Sequence, residues 1–365
     1  MRKVIHLTSV HPVFDGRVFH KEAKTLIKAG YDVILIAQHN KEEVVDGVKI
    51  IPLPKPRNRF ERMTKVVWKL FRLALKEKAD VYHFHDPELI PVGLVLRLFG
   101  KKVIYDVHED VPQQILTKDW IRSYIIRKIV SFFFKGFENL SCAFFNGIVA
   151  ATSDIAKKFP SQKTITLRNF PILELIDKAK PLNINKQKPI IIYAGGLTKI
   201  RGIKEIIQAM EFVGNRAELW LLGKWGSEEF KKECESLKGW RYTKYLGVKP
   251  LEEVYMYLKS ADIGLHCVHR IKRYMVGLPT KVFEYLAARL PIIISDSAYW
   301  RNEFAGCALF VDPEKPKDIA NKILKLLEDD KLRSKLAKRG RELMEKHYNW
   351  EKESNKLLEL YKKNM

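Results

Sequence analysis

At 365 residues, 46% hydrophobic and 30% charged, the chain has the composition of a globular protein able to bury two domain cores. Its four cysteines (Cys142, Cys234, Cys267 and Cys307) are scattered, with no C-x-x-C or metal-ligand spacing; this excludes a disulfide scaffold and fits buried thiols in a reducing compartment. The formal net charge of +23 calls for an anionic partner or a heavily solvated basic face.

From the amino terminus, apolar runs at 4–8, 31–37, 48–53, 81–85, 103–106 and 148–151 read as strands, with helical periodicity between them. The second half repeats the scheme at 190–194, 217–222, 242–246, 263–266, 292–295 and 308–311. The runs are continuous rather than alternating, which predicts parallel sheets covered on both faces. The expected fold class is therefore α/β, as two doubly wound, Rossmann-like domains. Between them, ILELIDKAKPLNINKQK at 172–188 breaks the alternation with Pro, Asn and Lys. We expect a first domain at 1–174, a linker at 175–188 and a second domain at 189–349, with a last helix at 350–363 packing back on the first domain. Ligands of such sheets bind beyond the carboxyl ends of the strands, so the site is expected in a cleft between two facing domains.

The strand exits carry the chemistry. In the first half, TSVHPVFDGR at 8–17, HFHDPE at 83–88 and YDVHED at 105–110 end strands with His and carboxylates, His108 foremost. In the second half, YAGGLTKIRG at 193–202 lets backbone approach a ligand through Gly195 and Gly196 and offers Lys199 and Arg201 as cations. Gly223 and the Gly247–Val248 pair follow the next two strands and leave room for a flat base and ribose. The most informative stretch is GLPTKVFEYLAARLPIIIS at 277–295. A helix opening after Pro279 presents free N–H groups and a partial positive charge to a phosphate, with Lys281 beside it. Glu284, one turn in, can accept from the two hydroxyls of a ribose. No D-x-D, H-E-x-x-H or H-x-H with a distant carboxylate stands out, so no metal is expected. A diphosphate is then neutralised by Arg201, Lys281 and helix N-termini.

Two segments concentrate the positive charge. Residues 55–78 carry nine Lys or Arg against two Glu, and residues 118–135 carry five against one Asp. Both interleave the cations with apolar bulk, Phe60, Met63 and Phe71 in one, Trp120, Ile125, Phe132 and Phe133 in the other. Basic amphipathic helices with aromatics fit a membrane surface. The first residues are too short and polar for an export signal. The longest uncharged run, 139–153, has 15 residues, short of the roughly 18–20 apolar residues of a span. A cytoplasmic protein, peripheral on the inner face of the cell membrane, is expected.

With Asp15-Gly16-Arg17, HFHDPE, YDVHED, NFP at 169–171, YAGGL with Arg201-Gly202, ADIGL at 261–265 and LPTKVFEYLAARLPI in order, the chain resembles a GT-B glycosyltransferase of family 4, over nearly its full length. It is similar to the subgroup with a P-x-K-x-F-E donor motif. The resemblance implies a GT-B fold and retaining transfer from a nucleotide sugar without an active-site metal; the nucleotide sugar is a substrate and no cofactor is implied. It matches Glu284 to the second glutamate of an E-x7-E motif, holding the donor ribose, Arg201 to the basic residue on the donor diphosphate, and His108 to the histidine that approaches the transferred sugar. The catalytic set is then His108, Arg201 and Lys281. The donor-binding set is Gly16, Arg17, Gly195, Gly196, Gly223, Val248, Thr280 and Glu284. The acceptor or membrane side takes His85, Glu109, Arg62, Lys69, Arg127 and Lys128. Two departures stand out: Val276 occupies the place of the first glutamate, and Gly196 that of an arginine in the diphosphate loop. Lys281 and the amides of Thr280 and Lys281 can compensate.

The expected partners are a nucleotide-sugar donor (UDP- or GDP-linked), a lipid-linked or cell-envelope glycan acceptor and an anionic membrane surface, with no nucleic acid. Two other readings stay open. One is a nucleotide-sugar 2-epimerase of the same fold, which needs acid–base residues that Val276 does not supply. The other is a basic membrane-surface or nucleic-acid binding module, against which stand the missing RNA-binding motif and the spread of charge over both halves.

Overall fold

The computed structural model describes residues 2–118, 121–271, 277 and 279–364. The expectations resting on Trp120 and Val276 lie outside these residues. The chain divides into two compact units, Met1–Asn169 with Glu351–Met365, and Phe170–Trp350.

The first unit is built on eight strands: β1 (Lys3–Pro12), β2 (Asp32–Gln38), β3 (Glu43–Val45), β4 (Val48–Leu53), β5 (Val81–Phe84), β6 (Lys102–Val107), β7 (Gly147–Ala150) and β8 (Thr164–Thr166). Their order is β3-β4-β2-β1-β5-β6-β7-β8. All pairings are parallel except β3 with β4. Setting aside the short edges β3 and β8, this is the doubly wound order 3-2-1-4-5-6, whose switch point lies between the carboxyl ends of β1 and β5. The central strands bury both faces, Val4, Ile5 and Leu7 on β1 and Val33 to Ala37 on β2, so they appear in the sequence as unbroken apolar runs.

The second unit has six parallel strands: β9 (Ile190–Ala194), β10 (Glu218–Leu222), β11 (Thr243–Gly247), β12 (Ile263–His266), β13 (Ile292–Ser295) and β14 (Ala308–Val311). Their order, β11-β10-β9-β12-β13-β14, is the same doubly wound arrangement, with its switch point between β9 and β12.

The seam falls earlier than the expected boundary at 174, and residues 175–188 belong to a packed unit. Helix Leu173–Lys178 buries Ile176, Asp177 accepts from Arg341 at 2.7 Å, and Leu182 N donates to Ser260 Oγ at 2.7 Å. The chain passes between units at residue 350: Trp350 N donates to Pro171 O within the second unit, while the rest of helix Trp350–Asn364 belongs to the first. There Tyr361 is fully buried and its hydroxyl pairs with His83 Nδ1 at 2.8 Å.

Candidate active site

In the second unit the exits of β9, β10 and β11 are laced together. Gly195 N donates to Leu222 O and Gly223 N to Gly247 O, both at 2.8 Å. Gly195 and Gly223 have φ of +140° and +138°, and a Cβ on Gly223 would lie 1.9 Å from Gly195 O. Neither position admits a side chain. Gly223→Ala is therefore expected to open the loop between strands and to weaken ligand binding there more than global stability; calorimetric titration beside a melting curve separates the two.

Helix Thr280–Ala287 starts after Pro279; Val282 N donates back to Pro279 O at 3.0 Å, and the N–H groups of Thr280 and Lys281 have no partner within the helix. Thr280 is exposed and Lys281 buried. Lys281 Nζ donates to Tyr193 OH at 2.8 Å and sits 4.2 Å from the centre of that ring. A Cβ on Gly195 would lie 2.2 Å from Lys281 Nζ and 3.4 Å from an Arg201 guanidinium nitrogen, so both cations converge on the same glycine. Among the described residues no carboxylate stands within ion-pair distance of either. Burial, and then Arg201, push the Lys281 amine well below its usual range, with Glu284 pulling the other way. Tyr193 OH donates to Gly196 O at 3.1 Å, and burial holds its pKa up, to about 12, against the pull of Arg201. At the end of β12, His266 is buried and kept neutral by burial and by Lys281 and Arg201; its Nδ1 has no hydrogen-bond partner.

The first unit gathers its polar residues at the ends of β1, β5 and β6. After β1 a wide π-type turn at Val18–Ala23 brings Glu22 and Arg17 together, Arg17 Nε standing 2.9 Å from Glu22 Oε1. The Arg17 guanidinium donates twice to Asp106, at 3.0 and 2.9 Å, and once to Leu167 O at 2.8 Å. Despite burial, Arg17 and then His108 hold the Asp106 carboxyl well below its usual range. Burial, and then Asp106, push Glu22 well up. One buried guanidinium thus faces two carboxyl groups whose pKa values are pushed in opposite directions.

His108 is half-buried, its Nε2 3.0 Å from Asp106 Oδ2 and 3.2 Å from His85 Nδ1. Behind it His85 is buried, held down at about pKa 4 mainly by burial, and its Nε2 is 2.9 Å from His6 Nδ1. His11, whose ring centre is 4.8 Å from that of His108, is raised overall: Asp15 and Asp86 outweigh its burial.

The fold assembles side-chain sets that the sequence keeps apart. His6, Glu22, His83 and His85 place ligand-type atoms within 4.8 Å of one another, as do His85, Asp106 and His108. Arg17 spans the two sets, pairing Glu22 of one and Asp106 of the other.

Two family models match, one to each half: "Glycosyltransferase Family 4" over residues 16–163 and "Glycosyl transferases group 1" over residues 176–343. This chain belongs to the GT-B glycosyltransferases of the family 4 type. One relative of this glycosyltransferase is the N,N'-diacetylbacillosaminyl-diphospho-undecaprenol alpha-1,3-N-acetylgalactosaminyltransferase of Campylobacter jejuni, 30% identical over 46% of this chain and 44% of that one, so the match spans less than half of that relative. The capsular polysaccharide biosynthesis glycosyltransferase CapM of Staphylococcus aureus is 22% identical over 95% of this chain and 93% of its own. Among solved structures, the sucrose-phosphate synthase of Thermosynechococcus elongatus superposes with a TM-score of 0.75 at 17% identity, covering 99% of this chain and 98% of that one. Anabaena HepE in complex with UDP-glucose does so at 0.72 and 12%, covering 99% and 100%. These last two show the fold.

The structure brings Arg201 and Lys281 to Gly195 and Gly196, with Tyr193 and His266 beside them, and Thr280 and Glu284 lie on the same helix as Lys281. A polar residue closing an apolar strand, as His266 closes β12, was the available signal. Val248 lies exposed beyond β11, and Gly16 borders the π-type turn. Arg17, expected at the donor, has its guanidinium taken by Asp106, Glu22 and Leu167 O, so it organises the buried cluster. His85, expected on the acceptor side, is buried behind His108 and supports it. Arg62 is paired with Glu88 through contacts of 2.6 and 3.0 Å, which ties it to its own unit. Arg127 donates to Ile121 O at 2.6 Å. Glu109, Lys69 and Lys128 are exposed.

Proposed function

We propose that this glycosyltransferase moves a sugar from a nucleoside-diphosphate sugar, UDP- or GDP-linked, to a hydroxyl of a lipid-linked or cell-envelope glycan. The transfer retains anomeric configuration, needs no metal at the diphosphate and takes place at the inner face of the cell membrane. The convergence of Arg201 and Lys281 on Gly195, beside the open N–H groups of helix Thr280–Ala287, carries the reading. Two cations and a helix start suit two linked phosphates. As the glycosidic bond breaks, negative charge grows on the leaving diphosphate, and these fixed groups stabilise it without reorganising. Glu284 takes the ribose hydroxyls, and the acceptor hydroxyl attacks from the leaving-group face with a donor phosphate oxygen as base. His108, held by Asp106, is assigned to the transferred sugar.

The acceptor class is supported by the relatives' names, one acting on a diphospho-undecaprenol glycan and one in capsule synthesis. Purified protein supplied with UDP- and GDP-sugars and an undecaprenyl-diphosphate-linked glycan, with and without EDTA, tests the reading. The product is expected to keep the donor's anomeric configuration and to form equally in EDTA. Inversion, loss of turnover in EDTA or preference for a free soluble sugar overturns the corresponding part.

A further inference from the structure

Helix Tyr124–Phe144 is amphipathic in an inverted sense. Of its 21 residues only Glu138, Ser141 and Cys142 are buried. Residues recurring at three- and four-residue intervals on the opposite side are exposed and apolar: Ile125 by 70%, Ile129 by 50%, Phe132 by 74% and Leu140 by 66%, with Phe133 beside them at 69%. A helix that serves a protein core turns such a stripe inward. Here one stripe docks, Phe134 and Cys142 on the core and Glu138 accepting from Tyr105 OH at 3.0 Å, and a second, apolar stripe is left outside.

The charge pattern says what covers it. Between residues 121 and 144 the chain carries Arg122, Arg127, Lys128 and Lys135, and its sole acid, Glu138, is buried. Lys128 and Lys135, seven residues apart, share one shoulder of the apolar stripe. A second copy docked on this face would set like charges against like. An anionic bilayer matches both features, acyl chains to the stripe and headgroups to the shoulder. No described helix is long and apolar enough to cross a membrane, so the fitting orientation is in the plane of the interface. The other basic segment differs: helix Val67–Glu77 turns Leu70 and Ala74 inward, and Val67 and Phe71 pack on the core.

We infer that helix Tyr124–Phe144 is an in-plane anchor, with Phe132 and Phe133 entering the acyl boundary of an anionic bilayer and Lys128 and Lys135 at its headgroups. The inference deepens the proposed membrane-side acceptor reading, and rests on that reading only for what the anchor is for.

The test is co-sedimentation of the full chain with phosphatidylcholine vesicles, with or without phosphatidylglycerol, beside a thermal-shift measurement of UDP and GDP binding without lipid. Wild type is expected to pellet with the anionic vesicles at low salt. The paired substitution Phe132→Asp with Phe133→Asp should lower partitioning about tenfold or more and leave the nucleotide shift unchanged. Lys128→Glu with Lys135→Glu should erase the preference for anionic lipid. Wild type staying in the supernatant, or all three proteins pelleting alike, overturns the anchor. So does a lipid-free dimer that the Phe132→Asp, Phe133→Asp protein fails to form, since a second copy then covers the face. Vesicle binding without any nucleotide shift upholds the anchor and counts against the transferase reading alone.

Discussion

Binding of UDP or GDP is expected to be accompanied by proton uptake, and replacing Lys281 with Met to remove it. In the free protein the Lys281 amine is buried beside Arg201, and both push its pKa well down. A bound diphosphate brings the opposite charge and raises it again. The sign follows from linkage. A group whose pKa rises on binding favours the complex fully below its free-state pKa, and that advantage fades as pH climbs to the bound-state pKa. Affinity therefore falls with pH between those two values, where proton uptake is greatest. Calorimetric titrations in buffers of different ionisation enthalpy read the proton directly. Lys281→Met also removes a charge-assisted hydrogen bond worth about 1.5–3 kcal/mol, so affinity should drop roughly tenfold to a hundredfold. An enthalpy independent of buffer across the pH range means the amine is already charged, and contradicts the account of this site.

Asp106→Asn is expected to be the most damaging single substitution in the first unit. It leaves the Arg17 guanidinium buried without its twofold partner, a defect that costs about 3–5 kcal/mol. Glu22 softens the loss. Burial and Asp106 push its pKa up, and with the Asp106 charge gone it ionises more readily against Arg17. Glu22→Gln combined with Asp106→Asn should therefore cost more than the two changes summed, a coupling that denaturant midpoints resolve. The pH dependence has a defined sign. The Asp106 pKa is depressed in the folded chain, so its stabilisation is complete above the unfolded carboxylate range of about 4 and is lost only as pH falls through the lower folded value. If Asp106→Asn melts like wild type at neutral pH, the buried cluster is not organised around this ion pair.

The strands of both sheets were legible because parallel strands buried on both faces leave continuous apolar runs. β3 and β8 escaped because three-residue, half-buried edges leave no such run. The glycine-rich loop after β9 was legible for a local reason: Gly195, Gly196 and Arg201 lie within one strand-to-helix turn, and Pro279 announces the helix that carries Lys281 and Glu284. What the sequence hid is long-range. Arg17 looked like a cation offered to a ligand, yet its partners Asp106 and Leu167 lie 89 and 150 residues on. Tyr193 passes for strand core until Lys281, 88 residues away, is seen to donate to its hydroxyl. His85 reads as an exposed strand-end histidine, and only the packing of His6, Asp106 and His108 around it shows a buried support. The seam at residue 169 was blurred because the 172–188 stretch has the composition of a linker while Ile176 and Leu182 N find partners in the second unit.

The most direct test of the central claim is a thermal-shift panel of UDP, GDP, ADP and dTDP on wild type and on Arg201→Ala, each with and without EDTA. A ligand at about one hundred times its dissociation constant adds roughly 2.7 kcal/mol, a few degrees for units of this size. One nucleotide class stabilising the wild type equally with EDTA, and losing most of its effect in Arg201→Ala, is the predicted result. A shift that persists undiminished in Arg201→Ala, or one that EDTA abolishes, would place the donor diphosphate elsewhere or on a metal and contradict the account.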